Sequence, residues 1–171
     1  MNASVVLLLS LGIQAASAAP PPAAPAPAQV PAQFITAAEA EAVLKEQIAK
    51  NVVDQPMKSS QVVGGLASVA WLHRAKAEAG ALIHNKATET YYIVKGSGTL
   101  VTGGSLGDAK PIDLTRVNAG MGMQGTRQGG EGRRVNPGDI IMIPAGTVHS
   151  FSELDGPISY LVYRFEPTVK K

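Results

Sequence analysis

The chain of 171 residues contains no cysteine, few aromatic residues (5%) and no charged side chain before Glu39. Without cysteine it has no disulfide framework, no thiolate ligand for zinc, no thiol nucleophile and no cysteine to carry a lipid. The charges nearly balance, with 15 Lys and Arg against 13 Asp and Glu and no basic block. This pattern gives no footprint for a nucleic-acid partner. The length fits one ordinary domain.

The uncharged N-terminus predicts export. Residues 5–13 form an apolar run (VVLLLSLGI) that is too short to span a bilayer core of about 30 Å as a helix. Ala16-Ser17-Ala18 follows, with the small residues that a signal peptidase accepts. We therefore expect a signal peptide over residues 1–18, cleavage after Ala18, and a periplasmic or secreted protein without a stable membrane anchor. The segment before the apolar run has no Lys or Arg, and an Ala-rich disordered terminus is the alternative interpretation.

Three further segments are predicted after the signal peptide. Residues 19–33 are rich in Ala and Pro, which favours an extended linker. Residues 34–60 are predicted to contain a helix and a connector, because Thr36 and Glu39 have the spacing of a capping box. The apolar residues Val43, Leu44 and Ile48 would give this helix, over residues 36–50, one narrow apolar stripe. Residues 61–171 are predicted to form a β-barrel domain.

The predicted domain consists of short apolar runs separated by glycine. Runs rich in Val, Ile, Tyr and Thr are typical of strands, and they occur at residues 66–72, 81–84, 89–94, 98–101, 140–143, 147–151 and 158–165. Many short strands at close spacing favour a sandwich or a barrel. Residues 120–138 are glycine-rich and polar, and we expect them to form a long loop or lid. Arg127, Arg133 and Arg134 in this stretch would either clamp a carboxylate substrate or form a solvated face.

Two motif blocks carry the chemistry of the sequence. The first reads His84-x4-Glu89-x6-Gly96, and the second reads Gly138-x5-Pro144-x-Gly146-x2-His149. They resemble the two motifs of the cupin superfamily, whose members are double-stranded β-helix barrels and include many dioxygenases and isomerases. The second block matches the family pattern at every specified position. The first lacks the earlier histidine of the family's H-x-H, because Leu82 stands there.

The resemblance implies a metal site formed by His84, Glu89 and His149. The period of two along a strand puts Leu82 on the face of His84, Tyr91 on the face of Glu89, and both Thr147 and Phe151 on the face of His149. If these faces point into the barrel, the three ligands converge, and the predicted substrate-binding residues Leu82, Tyr91, Thr147 and Phe151 line the pocket. Two imidazoles and one carboxylate suit a divalent Fe, Mn, Zn or Ni ion and leave coordination positions open.

Several alternatives follow from the missing histidine. His73 would either substitute as a ligand or lie on the strand surface. The protein is either a metal-dependent enzyme of dioxygenase or isomerase/lyase type, or a non-catalytic binder or sensor with an empty or degenerate site. Its partner in both cases is a small oxygen-containing molecule. Cupins similar to this chain often pair or exchange edge strands, which makes a homodimer possible. Tyr92, unlike Tyr91, should face outward.

Overall fold

The computed structural model describes residues 30–168 of the chain. Helix α1 spans Ala37–Lys50, and a short 3-10 helix spans Thr115–Val117. The strands of this part are β1 (Asp54–Val62), β2 (Gly65–Arg74), β3 (Ala81–His84), β4 (Thr88–Lys95), β5 (Gly98–Thr102), β6 (Ser105–Asp113), β7 (Met121–Gln128), β8 (Glu131–Val135), β9 (Ile140–Ile143), β10 (His149–Leu154) and β11 (Ile158–Pro167).

The strands form two antiparallel sheets. One has the order β1-β2-β11-β4-β9, and the other has the order β6-β7-β3-β10-β5-β8. From β2 to β5, and again from β8 to β11, each successive strand belongs to the opposite sheet. This alternation winds the chain into a double-stranded β-helix, the all-β cupin fold that the motif blocks imply. The predicted fold class is confirmed. Strands β6 and β7 are additional and lie at one edge of the second sheet.

The hydrophobic core lies between the two sheets. Ile93, Tyr160 and Val162 are completely buried there, and Phe151 is 1% exposed. Alternate residues of the same strands face outward, and Tyr92 is 45% exposed. Because β-branched and aromatic side chains fill the inner faces, burial of apolar surface holds the sheets together and fixes the strand register.

Helix α1 has the predicted capping box. The Thr36 hydroxyl accepts a hydrogen bond from the Glu39 backbone N–H, while the Glu39 carboxylate accepts one from the Thr36 backbone N–H. The predicted apolar stripe is only partly correct. Ile48 is 54% exposed, whereas Gln47 is buried and donates through Nε2 to the carbonyl oxygen of Trp71 on β2. A polar residue therefore anchors the helix, because its buried amide nitrogen donates to a backbone carbonyl oxygen of β2.

The glycine content of residues 120–138 predicted a long loop or lid, but the structure has none there. These residues form β7 and β8, joined at Gly129-Gly130. A Cβ atom at Gly122 would lie 2.3 Å from the carbonyl oxygen of Ile83, so glycine permits β7 to approach β3 closely. The prediction was wrong because β7 and β8 lack the apolar runs by which the other strands were recognised. Glycines interrupt these two strands, and many of their side chains are polar and exposed. The loop beside the cavity is the preceding segment, residues 114–120.

Most of the predicted N-terminal segments lie outside the residues that the structure describes. The signal peptide of residues 1–18 and most of the linker of residues 19–33 precede residue 30. Strand β1 begins at Asp54 and pairs with β2, so the sheet starts before the predicted barrel boundary at residue 61. Within residues 30–168, no helix has both the length and the hydropathy needed to cross a membrane.

Candidate metal centre

His84, Glu89 and His149 meet inside the barrel. They lie at the end of β3, near the start of β4 and at the start of β10, and all three are at least 95% buried. The Nε2 atoms of His84 and His149 are each 3.3 Å from Oε2 of Glu89. The three candidate ligand atoms lie within 4.8 Å of one another. The fold therefore brings together residues that are far apart in the sequence.

Backbone carbonyl groups orient both imidazoles. Nδ1 of His84 is 3.1 Å from the carbonyl oxygen of Ala119, and Nδ1 of His149 is 2.9 Å from that of Thr147. Because a carbonyl oxygen only accepts, each Nδ1 carries the hydrogen and donates it. Each Nε2 is then directed at Glu89, which is the orientation that a metal-binding histidine needs.

The Glu89 carboxylate is the centre of the buried polar network. Oε1 accepts a hydrogen bond from Arg164 Nε at 2.7 Å, and Oε2 accepts one from the Tyr91 hydroxyl at 2.9 Å. Burial opposes ionisation of Glu89, but the hydrogen bonds of both histidines and the charge of Arg164 hold its pKa well below its usual value. Glu89 is therefore an anion. Oε2 is its oxygen on the side of the histidines.

The protonation of His149 depends on the same carboxylate. Burial opposes the charged form of the imidazole, but the hydrogen bond and the charge of Glu89 raise the pKa of His149 above its usual value. In the absence of metal, the Glu89 carboxylate thus favours the protonated form of His149.

Arg164 is a site residue that the sequence motifs do not contain. Its side chain is 2% exposed, and it pairs with Asp54 on β1, with Nη2 at 2.5 Å from Oδ2. Its Nη1 donates to the carbonyl oxygen of Val117 at 2.7 Å. One guanidinium thus connects β11, β1 and the 114–120 loop to Glu89. A charged residue in the otherwise apolar run of residues 158–165 was the sequence signal for this role.

An open cavity of about 480 Å³ surrounds the candidate metal centre. Leu82 and Tyr91, both predicted to contact substrate, are part of its lining. The full lining consists of aliphatic, ionic and aromatic side chains from β1–β4, β10, β11, the segment before β1, the segment between β2 and β3, and the 114–120 loop: Val52, Val53, Asp54, Leu72, Arg74, Glu78, Leu82, His84, Glu89, Tyr91, Leu114, Arg116, Val117, Ala119, His149 and Arg164.

Two of the predicted substrate-binding residues lie outside this lining. Thr147 precedes β10, and the structure uses its carbonyl oxygen to orient His149. Phe151 packs in the core, with its ring centroid 5.5 Å from that of Tyr160. The parity argument fails for Thr147 because the strand begins only at His149. Phe151 does face the barrel interior, as the parity predicts, but this part of the barrel is filled by side chains.

The remaining candidates also lie outside the cavity. His73 hydrogen-bonds through Nδ1 to the Ser159 hydroxyl at 2.9 Å, so it does not replace the missing ligand. The predicted arginine clamp is not formed at this cavity, because each of its members has another partner. The pairs are Arg127 with Ser150, Arg133 with Glu131, and Arg134 with Asp155.

Two of the three separations between the donor atoms fit a metal ion. An ion about 2.1 Å from two ligands at a tetrahedral angle leaves the ligand atoms about 3.4 Å apart. The 3.3 Å separations between Glu89 Oε2 and the two Nε2 atoms agree with this value. Neutral imidazole and carboxylate form the mixed N/O donor set that Fe, Mn, Zn and Ni accept. His84, Glu89 and His149 could thus hold a divalent ion.

Comparisons with known proteins give only distant similarities. No protein-family model matches the sequence, and no curated protein matches it. Among solved structures, the chain is similar to an uncharacterised conserved protein with a double-stranded β-helix domain from Klebsiella pneumoniae. The two are 13% identical, with 68% of this chain and 76% of that chain covered and a TM-score of 0.41.

Two enzymes are also among the similar structures. The nucleoside dehydratase Pac13 of Streptomyces is 15% identical, with 68% of this chain and 78% of that chain covered and a TM-score of 0.39. An oxalate oxidase is 22% identical, with 59% of this chain and 42% of that chain covered and a TM-score of 0.38. At this level of similarity neither activity transfers to this chain.

Proposed function

We propose that this protein binds one divalent transition-metal ion through His84, Glu89 and His149, and uses it to bind and act on a small oxygen-containing molecule. The observation that carries the proposal is the convergence of both Nε2 atoms on one oxygen of Glu89, at equal distances of 3.3 Å. Three protein ligands leave positions on the ion for water or substrate. The bound ion would supply Lewis-acid or redox chemistry.

The surrounding residues would keep the three ligands in position. The carbonyl oxygens that accept from Nδ1 of the two histidines hold the ring orientations, and the Tyr91 hydroxyl and Arg164 hold the carboxylate of Glu89. Leu82 and the other aliphatic residues of the lining would exclude water from one side of the cavity. Dioxygenase chemistry and isomerase or lyase chemistry both agree with this arrangement.

The second candidate function is metal-independent binding of a small molecule, as a receptor or sensor. Two observations favour it. Leu82 occupies the position of the fourth ligand expected in this family, and Glu89 already has Arg164 and Tyr91 as partners. A carboxylate that is balanced by an arginine has less need of a cation.

Thermal unfolding with added metal separates these functions. If the metal site exists, Fe(II), Mn, Zn or Ni at about 100 times its dissociation constant should stabilise the protein by about 2.7 kcal/mol. His149→Ala and Glu89→Ala should abolish the stabilisation, while Tyr92→Ala, on the outer surface, should keep it. Equal stabilisation of the wild type and His149→Ala would refute this site. No stabilisation of the wild type would favour the metal-independent function.

We also propose that the protein acts outside the cytoplasm, as the signal-peptide pattern of residues 5–18 predicts. Mass spectrometry of the protein from an exporting host tests this proposal. Cleavage after Ala18 should give a mature chain that begins at Ala19. An uncleaved chain that stays in the cytoplasm would contradict it.

A further inference from the structure

We propose, on the basis of the metal site proposed above, that the cavity binds a small organic carboxylate and that Arg116 on the 114–120 loop recognises it. The three metal-binding residues do not determine the charge of the ligand. It depends on the charges that line the cavity and on which of them already have partners.

With both histidines neutral and no metal bound, the charges of the cavity lining balance. Three carboxylates (Asp54, Glu78 and Glu89) and three guanidinium groups (Arg74, Arg116 and Arg164) line it. When a divalent ion binds and both histidines are neutral ligands, the lining carries a charge of +2. A site with excess positive charge and low-dielectric walls favours an anion over a neutral molecule.

The carboxylates of the lining all have partners within the protein. Asp54 pairs with Arg164, and Glu89 accepts a hydrogen bond from the same guanidinium. Glu78 is 3.1 Å from Arg74 Nη1 and accepts a hydrogen bond from the backbone N–H of Phe151. These contacts leave Arg116 as the one arginine of the cavity lining without a carboxylate partner among residues 30–168.

Arg116 is available to a ligand. It lies in the 3-10 helix Thr115–Val117, is exposed, and forms no ion pair or side-chain hydrogen bond with residues 30–168. Its loop is held against the candidate metal centre by two hydrogen bonds. The carbonyl oxygen of Val117 accepts one from Arg164, and that of Ala119 accepts one from His84. Its fork of N–H groups can bind a carboxylate through two hydrogen bonds.

Arg74 provides a second donor on the cavity wall. Nε donates to the Tyr160 hydroxyl at 2.9 Å and Nη1 pairs with Glu78, whereas Nη2 makes no hydrogen bond within residues 30–168. Its side chain is only 15% exposed, so a ligand oxygen there would bind in a largely desolvated place.

The rest of the lining favours a short apolar chain on this carboxylate. Val53, Leu72, Leu82, Leu114 and Val117 contribute aliphatic surface to the same cavity. A purely inorganic anion would leave this surface in contact with water, while an aliphatic acid would cover it. The proposed ligand class is therefore a small aliphatic carboxylate.

Calorimetry with butanoate, butanamide and inorganic phosphate tests this inference on the full chain loaded with whichever of Fe(II), Mn, Zn and Ni it retains. The metal content is measured first. At one ion per chain, butanoate should bind at least about tenfold more tightly than its neutral isostere butanamide, and more tightly than phosphate. Arg116→Gln should weaken butanoate binding by about fivefold or more and leave butanamide unchanged. Arg133→Gln, on the outer surface, is the matched control and should behave as the wild type.

The outcomes separate the two proposals. Loaded protein that binds butanamide or phosphate as tightly as butanoate overturns the carboxylate inference and leaves the metal site intact. Unchanged butanoate affinity in Arg116→Gln overturns the assignment of Arg116, since the metal alone would then explain the preference. Failure to load any of these four ions overturns the metal site itself, and the inference falls with it.

Discussion

Leu82 on β3 lies directly opposite His149 on β10, as register partners in the second sheet. Side chains of directly paired residues have Cβ atoms about 4.5–5.5 Å apart, and Leu82 lines the same cavity as the three candidate ligands. Leu82, which stands where the cupin pattern has its first histidine, thus lies beside His149, which closes the second motif block.

This relationship predicts that Leu82→His will strengthen metal binding. A histidine there would add a fourth donor beside His149, and we expect the affinity for Zn or Ni to rise about tenfold or more. Isothermal titration with chelator competition measures the change. Ile83→His is the matched control, because its side chain leaves the strand on the other face. Equal affinity gains in both variants would contradict the assigned position.

Removal of Arg164 is predicted to destabilise the protein strongly. Arg164→Met would leave the buried carboxylate of Glu89 and the partly buried one of Asp54 without their partner, and we expect the free energy of unfolding to fall by about 3–5 kcal/mol. Denaturant unfolding measures this loss. Arg133→Met, which removes an exposed pair with Glu131, should cost only about 0–1 kcal/mol. A loss in Arg164→Met as small as that in Arg133→Met would show that the buried network is unimportant for stability.

The close approach of β3 and β7 predicts an effect of a single methyl group. Gly122→Ala would put Cβ 2.3 Å from the Ile83 carbonyl oxygen, so we expect a loss of about 1–3 kcal/mol and weaker metal binding through displacement of His84. In Gly132→Ala the new Cβ meets only side-chain methyl groups, that of Thr99 at 3.2 Å and one of Val101 at 3.7 Å. Thermal unfolding of both variants is the test, and a Gly122→Ala protein as stable as Gly132→Ala would contradict the model of strand contact.

Tyr160 predicts a loss of stability at alkaline pH. Its side chain is completely buried, and this burial raises its pKa above its usual value, although the charge of Arg74 acts in the opposite direction. Because the folded pKa exceeds the unfolded value of about 10, the contribution to stability is complete below about pH 10 and is lost as pH rises. Each such tyrosine contributes a slope of about 1.4 kcal/mol per pH unit.

Tyr160→Phe should reduce this slope. Unfolding in urea between pH 9 and 11 compares the variant with the wild type. At neutral pH the variant should also lose about 1–3 kcal/mol, since Arg74 Nε then lacks its acceptor. An unchanged alkaline slope would show that Tyr160 does not remain protonated in the folded protein.

The sequence was sufficient to predict the barrel and the three candidate ligands. Strand runs rich in Val, Ile and Tyr indicated most strands of the double-stranded β-helix, and the motif spacing identified His84, Glu89 and His149. Both are local patterns. The capping box of α1 was predictable for the same reason, because Thr36 and Glu39 are only three residues apart.

The remaining features depend on contacts between distant parts of the chain. Arg164 and Asp54 are 110 residues apart, and only the pairing of β11 and β1 with β2 brings them together. Strand β7 could not be predicted from an apolar pattern, because its glycines allow close backbone contact and do not fill a core. The cavity position of Arg116 likewise follows from the inserted strands β6 and β7, which no motif indicated.

Metal content after equilibrium dialysis tests the central claim most directly. The full chain is dialysed against Zn, Mn, Fe(II) or Ni at a concentration above the dissociation constant, and bound metal is measured by elemental analysis. We predict about one ion per chain for the wild type and Tyr92→Ala, and less than about one tenth for His149→Ala and Glu89→Ala. Occupancy in His149→Ala equal to that of the wild type, or no metal in the wild type, would contradict the account.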